Sequence, residues 1–141
     1  MKYYFVIFAM SLILNLKGQF TNLYNFNTSS GYAPYGAVIK SDSEDVLYGM
    51  TSTGGSANSN SGSIYSIHID GSDFKNLYNF KGLKADGANP TGSLIQSGEL
   101  LYGMTPSGGA FYGGTIFSIH LDGSAYTTIY NFGQDENNGK N

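Results

Sequence analysis

Cysteine is absent from this 141-residue chain, and so is arginine, since every one of its seven basic residues is a lysine. Without Cys there can be no disulfide, thiolate nucleophile, zinc-thiolate site or lipid-modified Cys behind a leader. Without Arg there is no bidentate fork for phosphate, and ten acids outweigh the lysines to leave a net charge of −3. Nucleic acid and anionic membrane are therefore not expected as partners. Helix-forming runs are also scarce after the first eighteen residues. Stability has to come from packing, in a chain expected to contain almost no helix.

The first eighteen residues differ from the rest. Lys2 supplies a short basic start, residues 3–16 are nearly all apolar, and Lys17-Gly18-Gln19 closes the segment. A membrane anchor needs about 18 uninterrupted apolar residues, and Ser11 and Asn15 interrupt a run that is already shorter. Residues 1–18 read as a secretory signal peptide. Cleavage near Gly18 leaves Gln19 as the mature N-terminus, with no membrane insertion afterwards. Losing Lys2 and Lys17 takes the net charge from −3 to −5.

Twenty glycines, twelve tyrosines and nine phenylalanines make a composition of short strands and tight turns. These residues are arranged in a repeat. Residues 62–80 return as residues 114–132 with 11 of 19 identical. A repeat of this length is one supersecondary unit that cannot bury its apolar face alone. Each copy divides into four runs of strand character. In the first these are residues 36–40, 45–51, 63–69 and 74–80, with Asp70-Gly71 as a hairpin turn. In the second they are residues 92–96, 100–105, 115–121 and 126–132, with Asp122-Gly123 as the turn. The offset between copies falls from 56 at Pro34 and Pro90, through 54 at Tyr48 and Tyr102, to 52 at His68 and His120. Each two-residue change falls in an expected loop, where strand ladders do not resist it.

The expected fold is all-β: propeller-like blades of four antiparallel strands, about two of them, in a repeat domain over residues 19–141. The repeats span roughly residues 27–80 and 81–132, and residues 133–141 begin a further one. A small β-sandwich is the alternative. Propellers close with four to eight blades, so a longer array is expected.

Leu47-Tyr48-Gly49-Met50-Thr51, Gly54-Gly55, Gly62-Ser63-Ile64-Tyr65 and Asp70-Gly71, with their second copies, resemble the GloVer-type tandem repeat of bacterial choice-of-anchor surface proteins. Met50 and Met104 depart from it, standing where Thr is more usual. The resemblance implies an exported, propeller-like repeat protein held at the cell surface by a variable C-terminal tail. It carries no catalytic residues with it.

His68 and His120 share a repeat position and read as polar-face residues on equivalent outer surfaces, not as ligands of one ion; zinc needs three or four converging ligands. Asp42, Glu44 and Asp45, and separately Asp70, Asp73, Asp86 and Asp122, read as solvated turn residues, since no calcium-type D-x-D-x-D run exists. Gly54-Gly55 and Gly108-Gly109 lack the pattern of a phosphate-binding loop and read as positions needing positive φ. No metal and no cofactor is expected. One feature breaks the repeat: Ala110-Phe111-Tyr112 stands where the first copy has small polar residues. Phe111 and Tyr112 are the candidate ligand contacts, for a glycan or a surface protein; packing on an adjacent blade is the alternative. The expected function is a secreted or cell-surface, non-enzymatic binding scaffold that associates with further blades or with itself. The rival is a piece of a polysaccharide-acting propeller hydrolase or lyase.

Overall fold

The computed structural model describes residues 20–133, apart from residues 56–59, 83 and 85. The expected leader and residues 134–141 lie outside the described residues. Short runs rich in apolar, β-branched and aromatic residues between turn-forming Gly, Asp and Ser favour strands, and the described residues form ten strands and no helix.

In the first repeat β1 (Ile39–Lys40), β2 (Val46–Thr51), β3 (Ser63–His68) and β4 (Lys75–Asn79) make one antiparallel sheet in chain order. After the short β5 (Gly87–Ala88), the second repeat builds the same meander from β6 (Ile95–Ser97), β7 (Leu100–Thr105), β9 (Thr115–His120) and β10 (Thr127–Asn131). Register is equivalent in both, with Gly49 opposite Tyr65 and Gly103 opposite Phe117. Any Cβ at Gly49 or Gly103 would collide with the ring lying across that strand, so the pairing requires glycine there. The inner strands are sealed by a repeated buried hydroxyl pair, Thr51 Oγ1 with Ser63 Oγ and Thr105 Oγ1 with Thr115 Oγ1, each 2.9 Å. β5 pairs with β8 (Ser107–Gly108) through Ala88 and Ser107, as Tyr32 bridges Thr53 in the first copy.

Three details differ from the sequence reading. The first strand of each repeat pairs over only two or three residues, because the chain before it enters along loops instead of a ladder. The Asp-Gly pair is not the centre of its turn. Gly71 N–H donates to His68 O (2.9 Å), Ser72 O accepts from His68 N–H (3.0 Å), and Gly71 alone has positive φ (+87°) at the turn. This is a three-residue connection ending in a left-handed glycine, and residues 120–124 repeat it. Ile69 therefore sits exposed in the turn and does not extend the apolar face of Tyr65 and Ile67. Asp70 and Asp122 each accept from the serine two residues on, which holds both carboxyls below their ordinary value.

The two sheets pack face to face around one core containing Val46, Tyr48, Met50, Ile64 and Phe80 from the first and Leu94, Leu101, Phe117 and Ile119 from the second. These are not equivalent faces. Met50 is 4% exposed while its counterpart Met104 is 59% exposed, and Phe80 is fully buried while Phe132 is 37% exposed. Period-2 alternation puts Leu101, Phe117 and Ile119 on the opposite pleat from the counterparts of Tyr48, Met50 and Ile64. The front of one repeat therefore meets the back of the next.

Candidate functional site

The loop between β8 and β9 carries Phe111 and Tyr112, 46% and 55% exposed. Its base is fixed: Ala110 N–H donates to Asn131 Oδ1 (2.8 Å) and Tyr112 N–H to Gly109 O (3.2 Å). Gly108 and Gly109 have positive φ, as do Gly54 and Gly55. Tyr112 also has positive φ (63°), which is uncommon for a bulky side chain. Counting back from Gly62 and Gly114, its counterpart is Asn60, also left-handed (φ 47°), whose side chain accepts from Gly54 N–H at 2.7 Å. Asn tolerates this conformation; a tyrosine held in it carries strain of about 1–3 kcal/mol. Lys84 Nζ stands 5.7 Å from the centroid of the Tyr112 ring. The loop thus offers two aromatic surfaces to solvent beside the cation of Lys84 from the β4–β5 connection, on a backbone the repeat fixes.

A second feature is a polar cleft of about 460 Å3 at the Asp-Gly-turn end of the sheets, lined among others by Glu44, His68, Asp73, Glu99, His120 and Asp122. The two histidines, read from the sequence as separate outer positions, line one cleft, because front-to-back stacking brings both turns to the same side of the junction. His68 Nε2 lies 4.0 Å from Asp73 Oδ2. Burial, and then the charges of Glu44 and Glu99, raise the Tyr48 phenol above its ordinary value. Among the described residues no three His, Asp or Glu side chains are grouped closely enough to hold a metal ion.

The third feature is the outward face of the second sheet. Ile95, Met104, Ile129 and Tyr130 are exposed on this repeat, and a groove of about 590 Å3 runs along Ile95, Tyr102, Met104, Ile116 and Phe132. Tyr130 is exposed where its equivalent Tyr78 packs against the core. Exposed apolar faces of this kind promote association. In sedimentation velocity the chain is expected to self-associate, and Met104→Asp to shift it toward monomer without lowering the melting temperature. An unchanged distribution would show that this face is not the sticky one.

Asp86, read as a solvated turn residue, is buried. Its loop folds the carboxylate inward, where Oδ1 accepts from Lys81 N–H and Gly82 N–H (both 2.8 Å) and Oδ2 from the Tyr78 hydroxyl.

Sequence reasoning also missed a third copy of a short motif. Leu23-Tyr24-Asn25-Phe26 matches Leu77-Tyr78-Asn79-Phe80 residue for residue. Tyr24 stacks on Phe74 at 4.0 Å and 6°, as Tyr78 does on Tyr126 at 4.0 Å and 3°. Phe26 meets Tyr65 edge-on at 5.1 Å and 65°, as Phe80 meets Phe117 at 5.4 Å and 68°. The Tyr65–Phe74 pair, at 5.6 Å and 24°, parallels Phe117–Tyr126 at 5.4 Å and 25°. The motif itself was the signal, lying outside the aligned repeats.

Compared with known proteins, residues 4–141 match the Gloeobacter/Verrucomicrobia repeat. No curated protein and no solved structure matches the chain.

Proposed function

We propose that this chain, which belongs to the Gloeobacter/Verrucomicrobia repeat family, is an exported, non-enzymatic binding scaffold built of propeller-like blades and displayed outside the cell or on its surface. Front-to-back stacking of the two sheets supports the propeller reading. A two-fold sandwich would bring equivalent faces together, whereas a heterologous contact repeats in one direction and forms a ring where its rotation closes. The leader-like residues 1–18 support export.

The observation that carries binding is Tyr112 in a left-handed conformation where the first repeat has Asn60. Backbone strain of this kind collects at ligand contacts. Phe111 and Tyr112 would stack on the apolar face of a sugar ring or anchor a surface protein.

The test uses the protein recovered from outside its producing cells. N-terminal sequencing is expected to begin at Gln19. Affinity electrophoresis through gels containing soluble glucans, xylan or chitosan is expected to retard the wild type. Phe111→Ser/Tyr112→Asn should lose that retardation with the melting temperature unchanged or slightly raised, because Asn relieves the strain. Loss of several kcal/mol of stability in the double variant would instead make the pair packing residues, and retention in the cell would remove the exported reading.

A further inference from the structure

We infer that residues 23–26 are the fourth strand of a sheet whose other three strands come from a further repeat, and that the groove beside them is the seat for those strands. The inference rests on the blade-array reading above.

The ring geometries show that Tyr24 and Phe26 lie on the first sheet as Tyr78 and Phe80 of β4 and its end lie on the second. The backbone agrees: Gly71 packs under the Leu23 carbonyl as Gly123 packs under that of Leu77, and a Cβ at either glycine would stand 2.7 Å from that oxygen. What differs is the rest of the sheet. β4 is hydrogen-bonded to β3, and Phe80 N–H donates to Gly62 O at 3.0 Å, as Phe132 N–H does to Gly114 O at 2.9 Å. Among the described residues the equivalent Phe26 N–H has no partner, and residues 23–26 belong to no ladder.

The side chains mark the same vacancy. Leu94 is 1% exposed beneath the first sheet, while its counterpart Val38 is 49% exposed. Leu101 is fully buried and its counterpart Leu47 only half-buried. A groove of about 250 Å3 runs here along Phe20, Leu23, Val38, Leu47, Ile67 and Phe74. At the second sheet this position is filled by Tyr48, Met50 and Ile64, from β2 and β3.

The occupant is therefore a unit of β1–β3 type that presents Tyr, Met and Ile from its second and third strands and pairs its third strand with the free edge of residues 23–26. A second folded copy does not fit, because its own β10 already holds the fourth-strand position beside β9.

The probe is a polypeptide of residues 27–72 of this sequence, added to the full chain. The Phe26 amide should exchange rapidly in the chain alone and slow by about tenfold or more when the probe binds. Calorimetric titration should show saturable one-to-one binding. Val38→Asp in the full chain should weaken it by about tenfold or more without changing the melting temperature, since Val38 is a surface position. Absence of saturable binding overturns the inference. So does a Phe26 amide that is already slow in the free chain or unchanged by the probe, or undiminished binding to Val38→Asp. Met104→Asp, at the opposite end, should bind the probe like wild type. If Val38→Asp is without effect while Met104→Asp still alters self-association, the array reading stands and this assignment falls.

Discussion

Phe117→Ala is expected to lower the unfolding free energy by about 3–5 kcal/mol in urea denaturation, the usual cost of deleting a buried ring and leaving its cavity. Phe117 is fully buried, lies across Gly103, and touches Phe80 and Tyr126 with ring centroids 5.4 Å away in each case. The site cannot collapse easily, because rigid strands hold its neighbours. Phe80→Ala should cost a similar amount. A double-mutant cycle between the two should return a coupling of about 0.5–1.5 kcal/mol for their edge-on contact. The control is Phe132→Ala. Phe132 occupies the same repeat position as Phe80 but faces the open side of the second sheet, so its loss should cost less than about 1 kcal/mol. Equal costs at Phe80 and Phe132 would mean that the open face is covered in solution.

Asp86→Ala should cost on the order of 3 kcal/mol, because it strands three donors at once around a buried carboxylate: the half-buried Tyr78 hydroxyl, the buried Gly82 amide and the Lys81 amide. It should also be visible in titration. Burial raises the Tyr78 phenol far above its ordinary value of 10.0, and the hydrogen bond to Asp86 and that carboxylate's charge raise it further. Tyr48, Tyr65 and Tyr126 are raised as well, with burial the leading cause in each. A raised folded-state value means that the unfolded chain releases protons first. The stability these phenols contribute is full below about pH 10 and falls as the pH climbs beyond it. Wild-type stability should therefore be level up to about pH 10 and then decline. In Asp86→Ala the Tyr78 phenolate should appear at lower pH in ultraviolet absorbance, and the alkaline decline should be shallower. An unchanged phenolate titration would show that the carboxylate does not hold the Tyr78 proton.

The strands, their order and the turn positions could be read in the sequence because they depend on local chemistry. The short apolar and aromatic runs of residues 46–51 and 63–68, the Asp-Gly-Ser turns, and length changes falling between strands all act within a few residues. Gly54-Gly55 and Gly108-Gly109 were legible as positive-φ positions for the same reason.

The tertiary structure decided what depends on which pleat meets which neighbour. Met50 and Met104 have the same residue type and the same repeat position, yet one is core and the other surface. Only stacking direction separates them. His68 and His120 came to one cleft for the same reason. Asp86 looked like any turn carboxylate until the loop path turned it toward two amides and a phenol. Tyr112 and Asn60 differ in type, but that their shared position demands a left-handed backbone is a property of the folded loop. A repeating four-stranded antiparallel unit follows from the order of residues alone, because hydrogen-bonded ladders and turns depend on short-range chemistry. The fold alone decided which faces are buried and which stay open, because burial is settled by contacts between residues distant in the chain.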